Sequence, residues 1–412
     1  MIDASGRDAP GGEGRTDLKR RELLSLAIGL GATLAWSDGL LAAAPIPWRE
    51  RRDLYPQGVA SGDPDHHSVL LWTRRPFPAG PPRLLTTEVA LDPSFRTVVA
   101  QAHAPVSAEA DWTARVLVAG LLPRTTYWYR FADNDGNGSR IGRTITAPRP
   151  DDTRPVQFAF VSCNSVNEGA QNAFRRMIWE DEQAGEDRRL GFVLHLGDFI
   201  YEVVEYPDEV PHRYSRTVYD LGRVPDARKV GNFHVPTNLA GYRHVYRAHL
   251  DDPDIQDARA HFPFVCIGDN HEFSWAGWQS FIKYPGTGIE PAQPLRVAAN
   301  QAWWEYIPSR VCKASGAGLD HFGPPAVVKS PIDTFDDYGF GTEANNRAAV
   351  GSMTAYRSMR YGGHVDLILT DFHSYQAADP MDRPEAAALD AGEFPVVPQE
   401  WMEITDAGRD YA

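Results

Sequence analysis

The stretch Leu194-His195-Leu196-Gly197-Asp198-Phe199-Ile200-Tyr201-Glu202 decides how the rest of the chain is read. It continues an apolar run from Gly191-Phe192-Val193 that stops at Gly197, the pattern of a buried strand ending in a tight turn. Asp198 then stands at the carboxyl end of that strand, where open α/β sheets place their ligands. Tyr201, three residues on, folds back beside it if the turn is helical. A carboxylate and a phenol at one point make a hard, anionic oxygen site suited to Fe(III) or a hard divalent cation. The competing reading makes Asp198 a helix cap and Tyr201 a core residue. The neighbouring strand ends decide between them.

Phe158-Ala159-Phe160-Val161-Ser162 ends at Cys163-Asn164. Phe262-Pro263-Phe264-Val265-Cys266-Ile267 ends at Gly268-Asp269-Asn270-His271-Glu272. If the three strands are parallel neighbours, a thiolate, carboxylates, a phenolate, an amide oxygen and an imidazole meet along one sheet edge. Taken singly, Cys163 is a small buried hydrophobe, Asp269 and Asn270 form a turn and cap, and His271 is a structural histidine. Those separate readings would have to coincide directly after three buried strands. The shared site is the stronger reading.

With 412 residues, 42% of them hydrophobic, the chain is long enough for two domains with real cores. A net charge of −14 argues against a nucleic-acid backbone as partner. An acidic protein that takes up phosphate needs a local positive source, which metal ions supply. Cys163, Cys266 and Cys312 are too few for a disulfide framework.

Lys19-Arg20-Arg21-Glu22-Leu23-Leu24 opens a short, weakly apolar run, and Ala42-Ala43-Ala44 precedes Pro45. Together these predict a twin-arginine export signal over residues 1–44 and a protein delivered outside the cytoplasm, periplasmic, surface-bound or secreted. The run is too short for a stable membrane span. Residues 48–149 change to short alternating runs, among them Ser68-Val69-Leu70-Leu71-Trp72-Thr73 and Ala114-Arg115-Val116-Leu117-Val118. Leu122-Pro123-Arg124-Thr125-Thr126-Tyr127 resembles the corner of a fibronectin- or immunoglobulin-like β-sandwich, where a tyrosine pins the turn. Gly62-Asp63-Pro64-Asp65-His66-His67 reads as a solvated turn rather than a metal site. A proline- and aspartate-rich linker over 148–155 follows. Strand-like and helical runs then alternate from 155 onward, which predicts an α/β domain over 155–412. Residues 203–238 show no period and are expected to form a lid at the pocket mouth.

Gly197-Asp198-x-x-Tyr201 and Gly268-Asp269-Asn270-His271-Glu272 resemble two signatures of the calcineurin-like metallophosphatases. Cys163, where most of that superfamily has an Asp-x-His pair, is similar to the PhoD-like (alkaline phosphatase D) family. Gly58-Val59-Ala60-Ser61-Gly62-Asp63-Pro64 and Gln301-Ala302-Trp303-Trp304-Glu305-Tyr306-Ile307-Pro308 resemble the same family. The resemblance implies an α/β/β/α metallophosphatase sandwich behind the N-terminal β-domain. It also implies phosphomonoesterase or phosphodiesterase activity with Fe(III) and Ca(II); small phosphoesters and phospholipid headgroups are the alternative partners. By the same resemblance Cys163 and Tyr201 ligate iron and Asp198 bridges metals. Asp269 and Asn270 hold a neighbouring cation. His271, with Asn270 beside it, serves the catalytic step at the phosphate or leaving oxygen.

The expected chemistry is in-line attack on phosphorus by a metal-bound hydroxide. The alternative is a binding protein that uses the β-sandwich for recognition, and stoichiometric iron separates the two. Two departures stand out. The family usually has Asp-Thr-Arg where this chain has Asp371-Phe372-His373. The resemblance places the family's last metal motif, a further Gly-Asp-x-His segment, beyond residue 412, so Ile404-Thr405-Asp406-Ala407-Gly408-Arg409-Asp410-Tyr411 reads as a stretch with more to follow and the metal site is expected to be incomplete. His364, His373 and Asp371 are the residues that could compensate.

Overall fold

In the computed structural model the chain is described over residues 20–30, 32–37, 46–313 and 322–379. Its organising element is a seven-stranded sheet. The strands are β1 (Thr33–Trp36), β2 (Val59–Gly62), β3 (Ser68–Arg74), β6 (Thr113–Ala119), β8 (Phe158–Val161), β9 (Phe192–His195) and β10 (Pro263–Cys266), in the order β1-β6-β3-β2-β10-β9-β8. Strands β8, β9 and β10 are parallel neighbours, with Val161 opposite His195 and His195 opposite Cys266. The condition on which the shared site depended is therefore met.

Between β3 and β6 run β4 (Arg83–Ala90) and β5 (Val98–Val106); β7 (Thr126–Ala132) follows β6. Strand β4 lies antiparallel between β5 and β7 in a second, six-stranded sheet. The two sheets share a core. Val69 and Leu71 of β3 and Val116 and Val118 of β6 pack with Leu85, Val89, Tyr127 and Phe131 of the second sheet. Every residue of β3 and β6 is buried, which explains their near-continuous apolar reading. At the corner before β7, the Leu122 amide donates to the Tyr127 hydroxyl at 2.8 Å. The first sheet does not stop where the linker begins. Strand β2 pairs in parallel with β10, Ser61 opposite Pro263, so N-terminal and C-terminal strands form one surface.

Helix α1 (Arg20–Leu30) and strand β1 occupy part of the segment expected as an export signal. Ala27 and Leu30 pack against Leu70 and Leu117, and the Trp304 indole donates to the Leu30 carbonyl at 3.3 Å. The cleavage box at 42–44 and residues 404–411 lie outside the described residues.

Four helices beyond the linker frame the site: α2 (Asn172–Gln183), α3 (Leu239–Leu250), α4 (Pro253–His261) and α5 (Gln293–Tyr306). The Asn238 side chain caps α3 by accepting from the Gly241 amide. Helix α4, which the sequence pattern does not announce, is fixed locally: Asp252 accepts from the Asp254 and Ile255 amides, and Pro253 takes the first position. A hairpin of β11 (Arg357–Tyr361) and β12 (Val365–Leu369) brings Tyr361 and Leu369 onto Phe192 and Val265. The aperiodic stretch 203–238 forms two small hairpins, His212–Arg213 with Arg216–Thr217 and Arg228–Val230 with Phe233–Val235. Among the described residues no helix is long and apolar enough to cross a membrane.

The end of α5 is locked into the N-terminal sheet. Buried Arg115 donates to the carbonyls of Trp304, Ile307 and Ser309, and the Trp72 indole donates to that of Glu305. Gly62 at the end of β2 is the tightest point of this junction. A Cβ there would lie 1.9 Å from the Pro308 carbonyl oxygen and 3.0 Å from that of Phe264. Gly62→Ala is expected to cost about 1–3 kcal/mol or more of stability, read as a lower denaturant midpoint. An unchanged midpoint would mean that the two parts can separate freely.

Candidate active site

Two of the three strand ends bend through left-handed backbone at a residue with a side chain. Cys163 follows β8 with φ +63°, and Asp198 follows β9 with φ +53°. Non-glycine residues adopt this region at a cost, and such residues concentrate at functional sites. Gly197 between β9 and Asp198 has φ +101°, and a Cβ on it would lie 2.4 Å from the Asp269 Cβ. The two loops touch at that point, so only glycine fits. Backbone bonds complete the junction: the Cys163 amide donates to the Gly197 carbonyl at 3.2 Å and the Asn164 amide to that of Asp198 at 2.9 Å.

The result is a compact donor set. The Cys163 Sγ lies 3.6 Å from the Asp198 Oδ2, and the Tyr201 hydroxyl 3.4 Å from the same oxygen. Tyr201 reaches Asp198 without the helical turn expected, because the His249 Nε2 accepts its backbone amide at 3.0 Å. His249 keeps its proton on Nδ1, directed at the Val245 carbonyl, and burial pushes its pKa down to about 4. Burial raises the Tyr201 phenol well above the usual range, and Asp198 and Cys163 add to the effect. Burial also raises Asp198; His271 counters this in part and Asp269 reinforces it.

Two carboxylates that the sequence did not single out support this set. Glu272, wholly enclosed, accepts the amides of Asp198 at 3.1 Å, Phe199 at 2.6 Å and Asp269 at 2.6 Å. Burial pushes its carboxyl up to about 8, with Asp198 contributing. Glu202 accepts from the Trp275 amide at 2.6 Å and binds the His271 Nδ1 at 2.6 Å. His271 also donates its backbone amide to the Asp198 Oδ1 at 3.2 Å and stacks on Tyr201 with ring centres 4.1 Å apart. Burial alone would lower the His271 pKa, but the carboxylates of Glu202, Asp198 and Glu272, Glu202 first among them, together outweigh it and the pKa is raised. The only signal for Glu202 was its place in the opening nine residues. For Glu272 it was membership of the Gly-Asp-Asn-His-Glu run.

Asp269 stands on the far side of Gly197 and binds the His373 Nε2 at 2.5 Å, which holds its carboxyl below the usual range. Asn270 donates its side-chain amide to the Trp275 carbonyl, leaving its oxygen as the possible ligand atom. Of the residues named as possible substitutes, His373 reaches the site. Asp371 lines the same small cavity as Asp269 and His373 while accepting from the Ser374 amide and hydroxyl, and His364 meets the Thr153 carbonyl at 3.0 Å. Asp65, His66 and His67 form a separate cluster whose ligand atoms lie within 4.8 Å of one another; the His66 Nδ1 and an Asp65 carboxylate oxygen are 2.5 Å apart.

Residues 158–395 match the family model of the PhoD-like phosphatases, and residues 41–148 match the PhoD-like phosphatase N-terminal domain. The chain belongs to the PhoD-like phosphatase family. It is 32% identical over 294 residues to alkaline phosphatase D of Bacillus subtilis (strain 168), an alignment covering 69% of this chain and 46% of that protein. It is also similar to the solved structure of PhoD, with a TM-score of 0.58 and 25% identity over 81% of this chain and 54% of that one. The chain thus spans about half the length of the relatives it matches.

The His271–Glu202 pair has a definite pH signature in the metal-free chain. His271 has a raised folded pKa, so the stability it contributes is whole below the ordinary value of 6.5 and is lost as pH rises through the raised value. Glu202→Gln is expected to lower stability by about 1–3 kcal/mol below that pH and to flatten the decline above it. Thermal melts of both proteins across pH 6.5 check this; parallel curves would remove Glu202 as the source.

Proposed function

We propose that this protein is an exported, metal-dependent phosphoester hydrolase acting on phosphate monoesters or diesters. The observation that carries the reading is the convergence of Cys163, Asp198 and Tyr201 at two adjacent strand ends, in a chain of the PhoD-like family.

The donor chemistry fits the metals that the family resemblance implies. A thiol, a phenol and a carboxylate suit Fe(III), while carboxylate and amide oxygens suit Ca(II). None of the hydrogen bonds to these three side chains comes from a lysine or arginine. His271 is the cationic group that acts on Asp198, so the ionised forms of three acidic side chains face a single imidazolium, and a cation is the natural complement. In this reading Cys163 and Tyr201 would hold iron, Asp198 would bridge, and Asp269 and Asn270 would hold the second ion. Bound cations supply Lewis-acid chemistry, neutralising charge on phosphoryl oxygens and making water acidic enough to react near neutral pH. The protein's own share is positioning and proton control. Glu202 engages the His271 Nδ1, which leaves Nε2 as the atom that can carry a proton to a phosphoryl or leaving oxygen.

Asp198→Asn tests this reading, because it keeps the shape and removes the charge. It is expected to lower hydrolysis of 4-nitrophenyl phosphate and bis(4-nitrophenyl) phosphate by at least about 100-fold, with loss of bound metal. Retained turnover with a stability loss of only about 0.5–2 kcal/mol would make Asp198 a cap instead.

Export by the twin-arginine route is supported by Arg20-Arg21 ahead of a weakly apolar run. It requires α1 and β1 to leave the sheet before or during cleavage. Replacing both arginines with lysine is expected to retain precursor inside the cell, seen by fractionation; normal release would refute the signal.

A further inference from the structure

The Cys163 side of the centre opens into a groove of about 730 Å³. Cys163 itself lines it. One wall is the segment from Ser165 to Asn172, and the other is Arg216, Thr217 and Tyr219 from the long insert. The Asp269 and His373 side offers a cavity of only about 30 Å³, room for a single water. Among the described residues the groove is thus the space beside the centre that can take an organic group, and its size lies in the range of small-molecule sites.

The far wall is fixed in place. Buried Asn167 donates to the Tyr219 and Glu205 carbonyls at 2.7 and 3.1 Å and accepts the Glu205 amide at 2.7 Å. Its own carbonyl accepts the Tyr219 amide at 2.8 Å. One side chain therefore staples the insert to the loop that carries Cys163, and the groove exists before any ligand arrives.

Its charge is specific as well. The insert holds four arginines. Arg213 is paired with Glu205, Arg223 with Asp208 and Arg228 with Glu290. Arg216 alone has no ion pair or side-chain hydrogen bond among the described residues, and it faces the groove. In a chain of net charge −14 an uncommitted guanidinium beside the candidate centre is a directed feature. Tyr219, half exposed, adds a ring face, and Glu168 on the opposite wall can accept from hydroxyl or ammonium donors.

We propose that this groove is the leaving-group site and that Arg216 favours phosphoesters whose organic part carries a second anionic group. This rests on the phosphoester reading above. The test compares phenyl phosphate with 4-carboxyphenyl phosphate as substrates, and the corresponding phosphonates as non-hydrolysed ligands in calorimetry. The wild-type protein, Arg216→Gln and Arg216→Lys are measured alongside one another. Arg216 is exposed, so its replacement leaves packing intact. Arg216→Gln is expected to raise KM for the carboxylated ester about three- to tenfold, with kcat maintained, and to shift the neutral ester less than about twofold. Arg216→Lys should restore part of the difference, and added salt should shrink it. Equal effects on both esters, or none, overturn the groove proposal while leaving the hydrolase reading intact. If neither ester is hydrolysed but the carboxylated phosphonate binds in an Arg216-dependent way, the groove stands and the hydrolase reading falls. Loss of both turnover and selective binding overturns both.

Discussion

The buried carboxylate of Glu272 is the interaction on which the rest of the site depends. It joins two loops from different strands by accepting the amides of Asp198, Phe199 and Asp269. Without it, three enclosed N–H groups would lack a partner, each costing about 1–3 kcal/mol. The bonds also stabilise the left-handed backbone at Asp198, a conformation that persists only where its surroundings over-determine it. Gly197 lets the loops approach closely enough for one side chain to reach both. Geometry at the donor set is therefore set by the layer beneath it.

That layer rests in turn on a sheet that does not respect the boundary suggested by composition. Strand β2 belongs by sequence to the β-rich half, yet it pairs in parallel with β10 and ends at Gly62, just before Asp63. Asp63 is fully buried and receives Arg357 through both carboxylate oxygens, at 2.8 and 2.9 Å, while Arg357 also donates to the Cys266 carbonyl. The β-rich half thus reaches the strand that delivers Asp269. Through that pairing it braces the strand leading to Asp269.

The three strand ends were legible because the signal is local: an apolar run, a turn residue, then polar atoms within a few positions. Cys163, Asp198, Tyr201, Asp269, Asn270 and His271 were all singled out this way, and the parallel order of β8, β9 and β10 brings their loops to one edge. What was not legible depends on contacts distant in sequence. Glu202 and His249 act on residues 69 and 48 positions away. Helix α4 has too little periodicity to stand out, and its definition comes from Asp252 and Pro253 at its first turn. Residues 20–36 read as an export segment from flanking charge and modest hydropathy. Their pairing in α1 and β1 needs Leu70, Leu117 and the edge of β6, which no local pattern predicts.

The shared carboxylate beneath two loops also changes how single substitutions are to be weighed. Asp198 and Glu272 are coupled, since Glu272 accepts the Asp198 backbone amide while the Asp198 side chain accepts the amide of His271, the residue just before Glu272. Losses from the two positions will be subadditive, and a double-mutant cycle will return a coupling energy comparable to either single effect. A ranking of side chains by individual alanine replacement would therefore count the same free energy twice.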